Sequence, residues 1–155
     1  MAMFSLLSTS DEYTHYLANV LGKQLTTPTA IGLIGDLGAG KTKFVQGLAE
    51  GLGIHRVPTS PTFTILAEYD GKVPLLHGDF YRLNQNDLLN LDLENILETW
   101  EGVSIIEWAG LFPDQLPEDV LWVKIDIVSE HHRNIQAWTD CQRLQDVISQ
   151  WKSIV

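Results

Sequence analysis

Thr29-Ala30-Ile31-Gly32-Leu33-Ile34-Gly35-Asp36-Leu37-Gly38-Ala39-Gly40-Lys41-Thr42 is the stretch that decides how this chain folds. Its first six residues form a short apolar run of strand length. Residues Gly35 to Thr42 then spell G-x-x-x-x-G-K-[ST], and beyond them Phe44, Leu48, Ala49 and Leu52 recur at helical spacing. Strand, glycine loop and helix follow in the order a phosphate loop requires. In such a loop the glycines turn backbone N–H groups inward as an anion nest, and the helix N-terminus adds positive potential. The lysine reaches the outer phosphates and the Ser/Thr hydroxyl is offered to Mg2+. Here those roles fall to Gly35, Asp36, Leu37, Gly38, Ala39, Gly40, Lys41 and Thr42, which predicts a nucleotide-binding protein. A glycine-rich turn with a surface lysine would not call for three glycines in six residues.

Working outward, Met3 to Leu7 reads as an opening strand, and Thr9-Ser10-Asp11-Glu12 fits a capping box with Thr9 as N-cap. Tyr13, Leu17, Val20 and Leu21 then mark one helical face. Downstream, Thr62 to Tyr69 and Val73 to Phe80 are strand-like and joined by Asp70-Gly71, a two-residue hairpin signal for antiparallel neighbours. Asp87 to Leu97 reads as a helix, Val103 to Ile106 as a buried strand, and Leu121 to Val128 and Arg133 to Trp138 as strands. Leu144 to Trp151 closes the chain as an amphipathic helix. Strands alternating with helices around a phosphate loop predict an α/β fold: a three-layer, P-loop NTPase-like sandwich whose parallel sheet takes an antiparallel excursion after the first βαβ step.

Composition is consistent with one domain over residues 1–155, since 45% hydrophobic residues with five Trp can furnish a core without staples. The single cysteine, Cys141, excludes an internal disulfide. No apolar run approaches the roughly 20 residues of a membrane span, and no secretory leader pattern opens the chain, so the expected setting is the cytoplasm, without membrane partners. Twenty acidic against ten basic residues give a net charge of −10, which disfavours direct contact with a nucleic-acid backbone.

A phosphate loop does not say what is done to the nucleotide, and a second polar constellation bears on that. Val103-Ser104-Ile105-Ile106-Glu107 ends a core strand on an acid, the place from which phosphate-loop proteins hold Mg2+ opposite the loop hydroxyl. Thr42 and Glu107 are thus the candidate metal ligands. Val57-Pro58-Thr59-Ser60-Pro61-Thr62-Phe63 carries three hydroxyls in a stretch stiffened by two prolines, where nucleotide-sensing switch loops lie; it also suits a rigid turn. Thr59, Ser60 and Thr62 are its candidate switch residues. In His77-Gly78-Asp79-Phe80-Tyr81-Arg82, Asp79 can orient water or bind metal through water, although a solvated strand end has the same spacing.

Taken together, Gly-Asp-Leu-Gly-Ala-Gly-Lys-Thr at 35 to 42, Ser-Pro-Thr-Phe at 60 to 63, His-x-Asp-x-Tyr-Arg-Leu at 77 to 83 and Glu-Trp at 107 and 108 give the chain a resemblance to the TsaE family. The resemblance covers the four motifs in order, with the N-terminal strand and helix matching as well. It implies a small ATPase that binds ATP with Mg2+ and assembles with TsaB and TsaD, whose joint task is threonylcarbamoylation of the adenosine beside the anticodon of tRNA. The tRNA would be met only through the complex. Carried onto this chain, it implies phosphate contacts from Asp36 to Thr42, Mg2+ at Thr42 and Glu107, and a part in hydrolysis for Lys41, Asp79 and Glu107. It further implies nucleotide contacts from Thr9, Ser10 and Arg133. Lys43 stands where the family usually has a second Thr, and Asp92 where a glycine is common.

Rival activities leave traces that can be sought. A GTPase would carry Asn-Lys-x-Asp, which does not occur. A small-molecule kinase shares the phosphate loop but needs clustered arginines over the transferring phosphoryl group, and Arg56, Arg82, Arg133 and Arg143 are scattered. A nucleotide-gated binding module with incidental turnover is the third reading; it would differ in turnover measured with and without partners.

Overall fold

The computed structural model describes residues 3–26, 28–56, 58, 66–81, 87 and 91–155. Among these the chain runs β1 (Phe4–Ser8), α1 (Asp11–Gln24), β2 (Thr29–Ile34), α2 (Lys41–Gly51), β3 (Leu66–Tyr69), β4 (Leu75–Asp79), α3 (Leu93–Thr99), β5 (Val103–Glu107), two short 3-10 turns (Ala109–Leu111 and Pro113–Gln115), β6 (Val120–Ile127), β7 (Arg133–Trp138) and α4 (Gln142–Ile154). The strands form one sheet in the order β1-β7-β6-β2-β5-β4-β3. The central pairs β6/β2, β2/β5 and β5/β4 are parallel, and both edges, β3/β4 and β6/β7/β1, are antiparallel. The sandwich expected from the sequence is therefore observed.

Strand alternation divides the core between the two faces of the sheet. Ile31 and Leu33 of β2, Leu75 of β4, Val103 and Ile105 of β5 and Val123 and Ile125 of β6 pack under α1, α2 and α4. Ala30, Leu76, Ile106 and Val120 face the other way, against Leu93 and Leu97 of α3 and Leu116. Trp151 of α4 is fully buried, stacks on Phe4 with ring centroids 4.4 Å apart and donates its indole N–H to the Leu17 carbonyl at 2.9 Å, fastening the last helix to α1 and β1.

Helices α1 and α2 approach closely enough that side chains are excluded from the crossing. A Cβ on Gly47 would stand 2.2 Å from the His15 carbonyl oxygen, and one on Gly51 would stand 2.3 Å from that of Asn19. This contact seats α2, and with it the loop at its N-terminus, against the body of the domain.

Several expectations are corrected. The first helix is capped by Ser10, whose hydroxyl accepts from Tyr13 N–H at 3.1 Å, and not by Thr9. Strand β1 continues to Ser8, whose hydroxyl donates to the Ser10 carbonyl at 2.9 Å, so the helix starts one residue later than a Thr9 cap requires. Glu12 then falls one position short of where a capping box needs its acid. The β3–β4 connection has five residues, since Tyr69 pairs with Leu75. Val73 N–H is drawn to the Leu52 carbonyl and the Pro74 carbonyl to Val103 N–H, which keeps both residues out of a two-residue hairpin. The helix expected over Asp87 to Leu97 is interrupted: α3 begins at Leu93, behind Asp92 at φ 54. Residues Leu88 to Asn90 lie outside the described residues, as does the first part of the strand expected from Thr62.

Candidate functional site

Loop Gly35 to Gly40 leaves the C-terminal end of β2 and enters α2. Gly38 at φ 79 and Gly40 at φ 102 occupy backbone space closed to most side chains, although a Cβ at either would touch nothing within 4 Å. Conformation and not crowding demands glycine there. Gly40 is also the N-cap of α2, and no side chain caps the helix, so its first N–H groups are presented to whatever anion sits above them.

Lys41 is buried, and its ammonium donates to the carbonyls of Gly35 at 2.6 Å and Asp36 at 2.9 Å. The same nitrogen lies 4.1 Å from the centroid of the Trp108 ring. Burial holds the ammonium below its ordinary pKa, against the opposing charges of Glu107, Asp79 and Asp36. Trp108 in turn lies 4.8 Å from Tyr81, ring to ring.

Two adjacent strands deliver the carboxylates. Register pairs Asp79 at the end of β4 with Glu107 at the end of β5. Alternation points both to the face that carries α2, in phase with Leu75 and with Val103 and Ile105. Asp79 accepts from Tyr81 N–H at 3.0 Å. Burial pushes its carboxyl above the usual range and the Glu107 charge adds to the rise, while the Tyr81 hydrogen bond, His77 and Lys41 oppose it. Glu107 is itself buried, and its Oε2 lies 2.5 Å from His77 Nε2.

Lys41, Thr42, Asp79, Glu107 and Trp108 line one cleft of about 330 Å³, with Gly38 and Gly40 on its floor. From the N-terminal region the cleft is reached by Asp11, and not by Thr9 or by Ser10, whose hydroxyl is taken up as a helix cap. Arg133 also lines it, arriving from β7. Its Nε donates to the Ala39 carbonyl at 3.0 Å and its Nη2 to the Gly38 carbonyl at 3.2 Å, while Nη1 donates to the carbonyls of Ser129, Glu130 and His132. Binding the Ala39 oxygen leaves the Gly40 N–H on the opposite side of that planar peptide. Arg133 thus joins the β6–β7 turn to the loop and fixes which way a loop peptide faces.

Of the residues read from sequence, Leu37 is exposed at the cleft mouth, Asp36 is exposed on the loop, and Gly35 and Ala39 are buried beneath it. The switch candidates Thr59, Ser60 and Thr62 lie outside the described residues. Asp11, Tyr81 and Trp108 also line the cleft, and His77 touches Glu107 from behind it, four residues that the motifs alone do not mark as part of a site. Strand alternation was the available signal for His77: two residues before Asp79, it shares the same face.

A sequence model of the family described as "Threonylcarbamoyl adenosine biosynthesis protein TsaE" matches residues 8–135, most of the chain. The chain belongs to the TsaE family. It is 42% identical over 125 residues to the TsaE protein of Bacillus subtilis, covering 80% of this chain and 78% of that one. It is 38% identical over 130 residues to TsaE of Treponema pallidum, covering 83% and 96%. Both relatives are described as tRNA threonylcarbamoyladenosine biosynthesis proteins. The crystal structure of Bacillus subtilis YdiB superposes with a TM-score of 0.81 at 33% identity, covering 99% of this chain and 97% of that one. The TsaE match spans each motif quoted above, from the phosphate loop to Glu107-Trp108, and reaches Arg133. No helix among the described residues is long and apolar enough to cross a membrane.

Proposed function

We propose that this chain binds ATP with Mg2+ in the cleft above α2, hydrolyses it, and thereby supports threonylcarbamoylation of the adenosine beside the anticodon of tRNA in assembly with TsaB and TsaD. The observation that carries this reading is convergence: an uncapped helix N-terminus, a buried lysine and two carboxylates from neighbouring strands share one cleft. The anion nest and Lys41 take the phosphates, with Gly38 to Thr42 supplying the backbone N–H groups.

Thr42 and Glu107 would hold Mg2+. The donor set fits: both offer oxygen, and both line the same cleft. Mg2+ is ordinarily held by one or two protein oxygens with phosphate and water completing the shell. When bound it neutralises charge on the transferring phosphoryl group. Asp79, steadied by the Tyr81 N–H, orients the attacking water. Leu37 and Tyr81, 66% and 47% exposed on the rim, offer apolar surface to a partner closing over the cleft.

Two substitutions test this. Lys41→Ala should weaken MgATP binding about tenfold or more in calorimetric titration while circular dichroism still shows a folded protein, because it removes a positive charge that lines the cleft. Glu107→Ala should lower partner-stimulated hydrolysis about 100-fold or more with a smaller loss of binding. An unchanged dissociation constant in the first removes the phosphate-loop assignment; full hydrolysis in the second moves the essential acid elsewhere.

A further inference from the structure

His77 has no part in the function proposed above, yet the fold goes to some length to keep it where it is. Its side chain is 2% exposed, inside a strand whose neighbours on that face are the core residue Leu75 and the cleft residue Asp79. Its Nε2 meets Glu107 Oε2 at 2.5 Å, and its Nδ1 is buried with no hydrogen-bond partner among the described residues. A histidine retained only for packing would be expected to satisfy both ring nitrogens, because an unpaired buried polar atom is destabilising. Among the described residues one nitrogen has no partner, and the other meets a carboxylate of the cleft. With Glu107 ionised, the carboxylate can only accept, and the pairing then requires the proton on Nε2.

We propose that His77 is the positioning residue for Glu107: it holds Oε2 and thereby leaves Oε1 as the oxygen available to the metal. This rests on the reading of Glu107 as a Mg2+ ligand. The geometry explains why a flexible glutamate can serve at this place. Glu107 ends a strand, and an unrestrained side chain there could fold back on the ammonium of Lys41, which lines the same cleft. With one oxygen fixed by the neighbouring parallel strand, the carboxylate plane is set by the sheet. Hydrogen bonds to ligating groups generally act in this way, and losing one costs about 10–100-fold in metal affinity or activity.

Two polar substitutions separate positioning from packing. The side-chain amide nitrogen of His77→Gln can stand near the place of Nε2, whereas that of His77→Asn is shorter and replaces only Nδ1. ATP affinity is titrated against MgCl2, and again in EDTA, for the wild-type protein and both variants. We expect His77→Asn to raise the Mg2+ concentration for half-maximal enhancement of ATP binding about tenfold or more, with ATP affinity in EDTA unchanged, and His77→Gln to recover most of the loss. Unaltered Mg2+ dependence in His77→Asn overturns the proposal, as does equal loss in EDTA. The metal-free, nucleotide-free protein gives a separate readout. In 15N-histidine spectra His77 should carry its proton on Nε2 and its resonances should move in Glu107→Ala; a bare Nε2 overturns the proposal even if neither variant folds. Wild-type protein whose ATP affinity ignores Mg2+ would instead overturn the function proposed above, while the spectra still decide the pairing.

Discussion

Trp108 holds a left-handed backbone at φ 61, rarely taken by so bulky a residue, one position after Glu107. Its ring is held between the Lys41 ammonium and Tyr81, contacts that offset the strain and seal the lysine from water. Asp79 is the second residue kept in an unfavourable state, with burial and the charge of Glu107 both raising its pKa. For an acid raised in the folded state, the native protein keeps its proton to higher pH than the unfolded chain. Stability from this group is therefore greatest below the ordinary value of 3.8 and falls as pH climbs through the raised value. Asp79→Asn removes that ionisation and retains an oxygen for the Tyr81 N–H. The nucleotide-free variant should melt at a higher temperature than wild type at neutral pH, with the advantage vanishing as pH approaches 3.8, and it should lose hydrolysis. Thermal melts across pH check the sign; a lower melting temperature at pH 7 would refute it.

At the scale of elements, the α1–α2 crossing sets the height of the phosphate loop over the sheet. Gly47→Ala would place a methyl group 2.2 Å from a backbone oxygen, which no rotamer can relieve, so the helices must part. The expected loss is about 1–3 kcal/mol in denaturant unfolding, the range for overpacking. A loss below about 0.5 kcal/mol would show that the crossing is loose. The start of α3 works in the opposite direction. Asp92 sits at φ 54, in the left-handed region, and makes no side-chain cap hydrogen bond. Asp92→Gly should relieve left-handed strain and stabilise the protein by about 0.5–1 kcal/mol, since L-residues are penalised there and glycine is not. Unfolding curves decide this as well, with destabilisation counting against it.

Across the whole molecule, a net charge of −10 disfavours a direct grip on RNA. Arg133, the one arginine at the cleft among the described residues, has Nε and both terminal nitrogens committed to backbone carbonyls. A protein built in this way should hydrolyse ATP slowly in isolation and faster with TsaB and TsaD. Multiple-turnover modification of tRNA is the decisive measurement. Omitting this protein, or replacing it with its Glu107→Ala form, should reduce the number of turnovers several-fold; unchanged turnover in both cases would refute an ATP-dependent role.

What could be read directly from the chain was whatever neighbours along it encode. The apolar run Thr29 to Ile34, the glycines of the loop and the helical spacing after Lys41 specify a strand, a tight glycine loop and a helix from local chemistry, and strand periodicity places the acid of Glu107 at a strand end. Local signals failed where another partner, near or distant, competed for the same groups. Ser8 reached the Ser10 carbonyl and moved the helix cap, and Val73 and Pro74 were drawn to Leu52 and Val103 and lengthened the hairpin. The site itself was decided by strand order. Insertion of β5 between β2 and β4 sets Glu107 beside Asp79 and His77, and folding β7 back beside β6 brings Arg133 onto a loop 94 residues away in sequence. Such pairings depend on sheet register and on burial of both sheet faces, which no short window of residues contains.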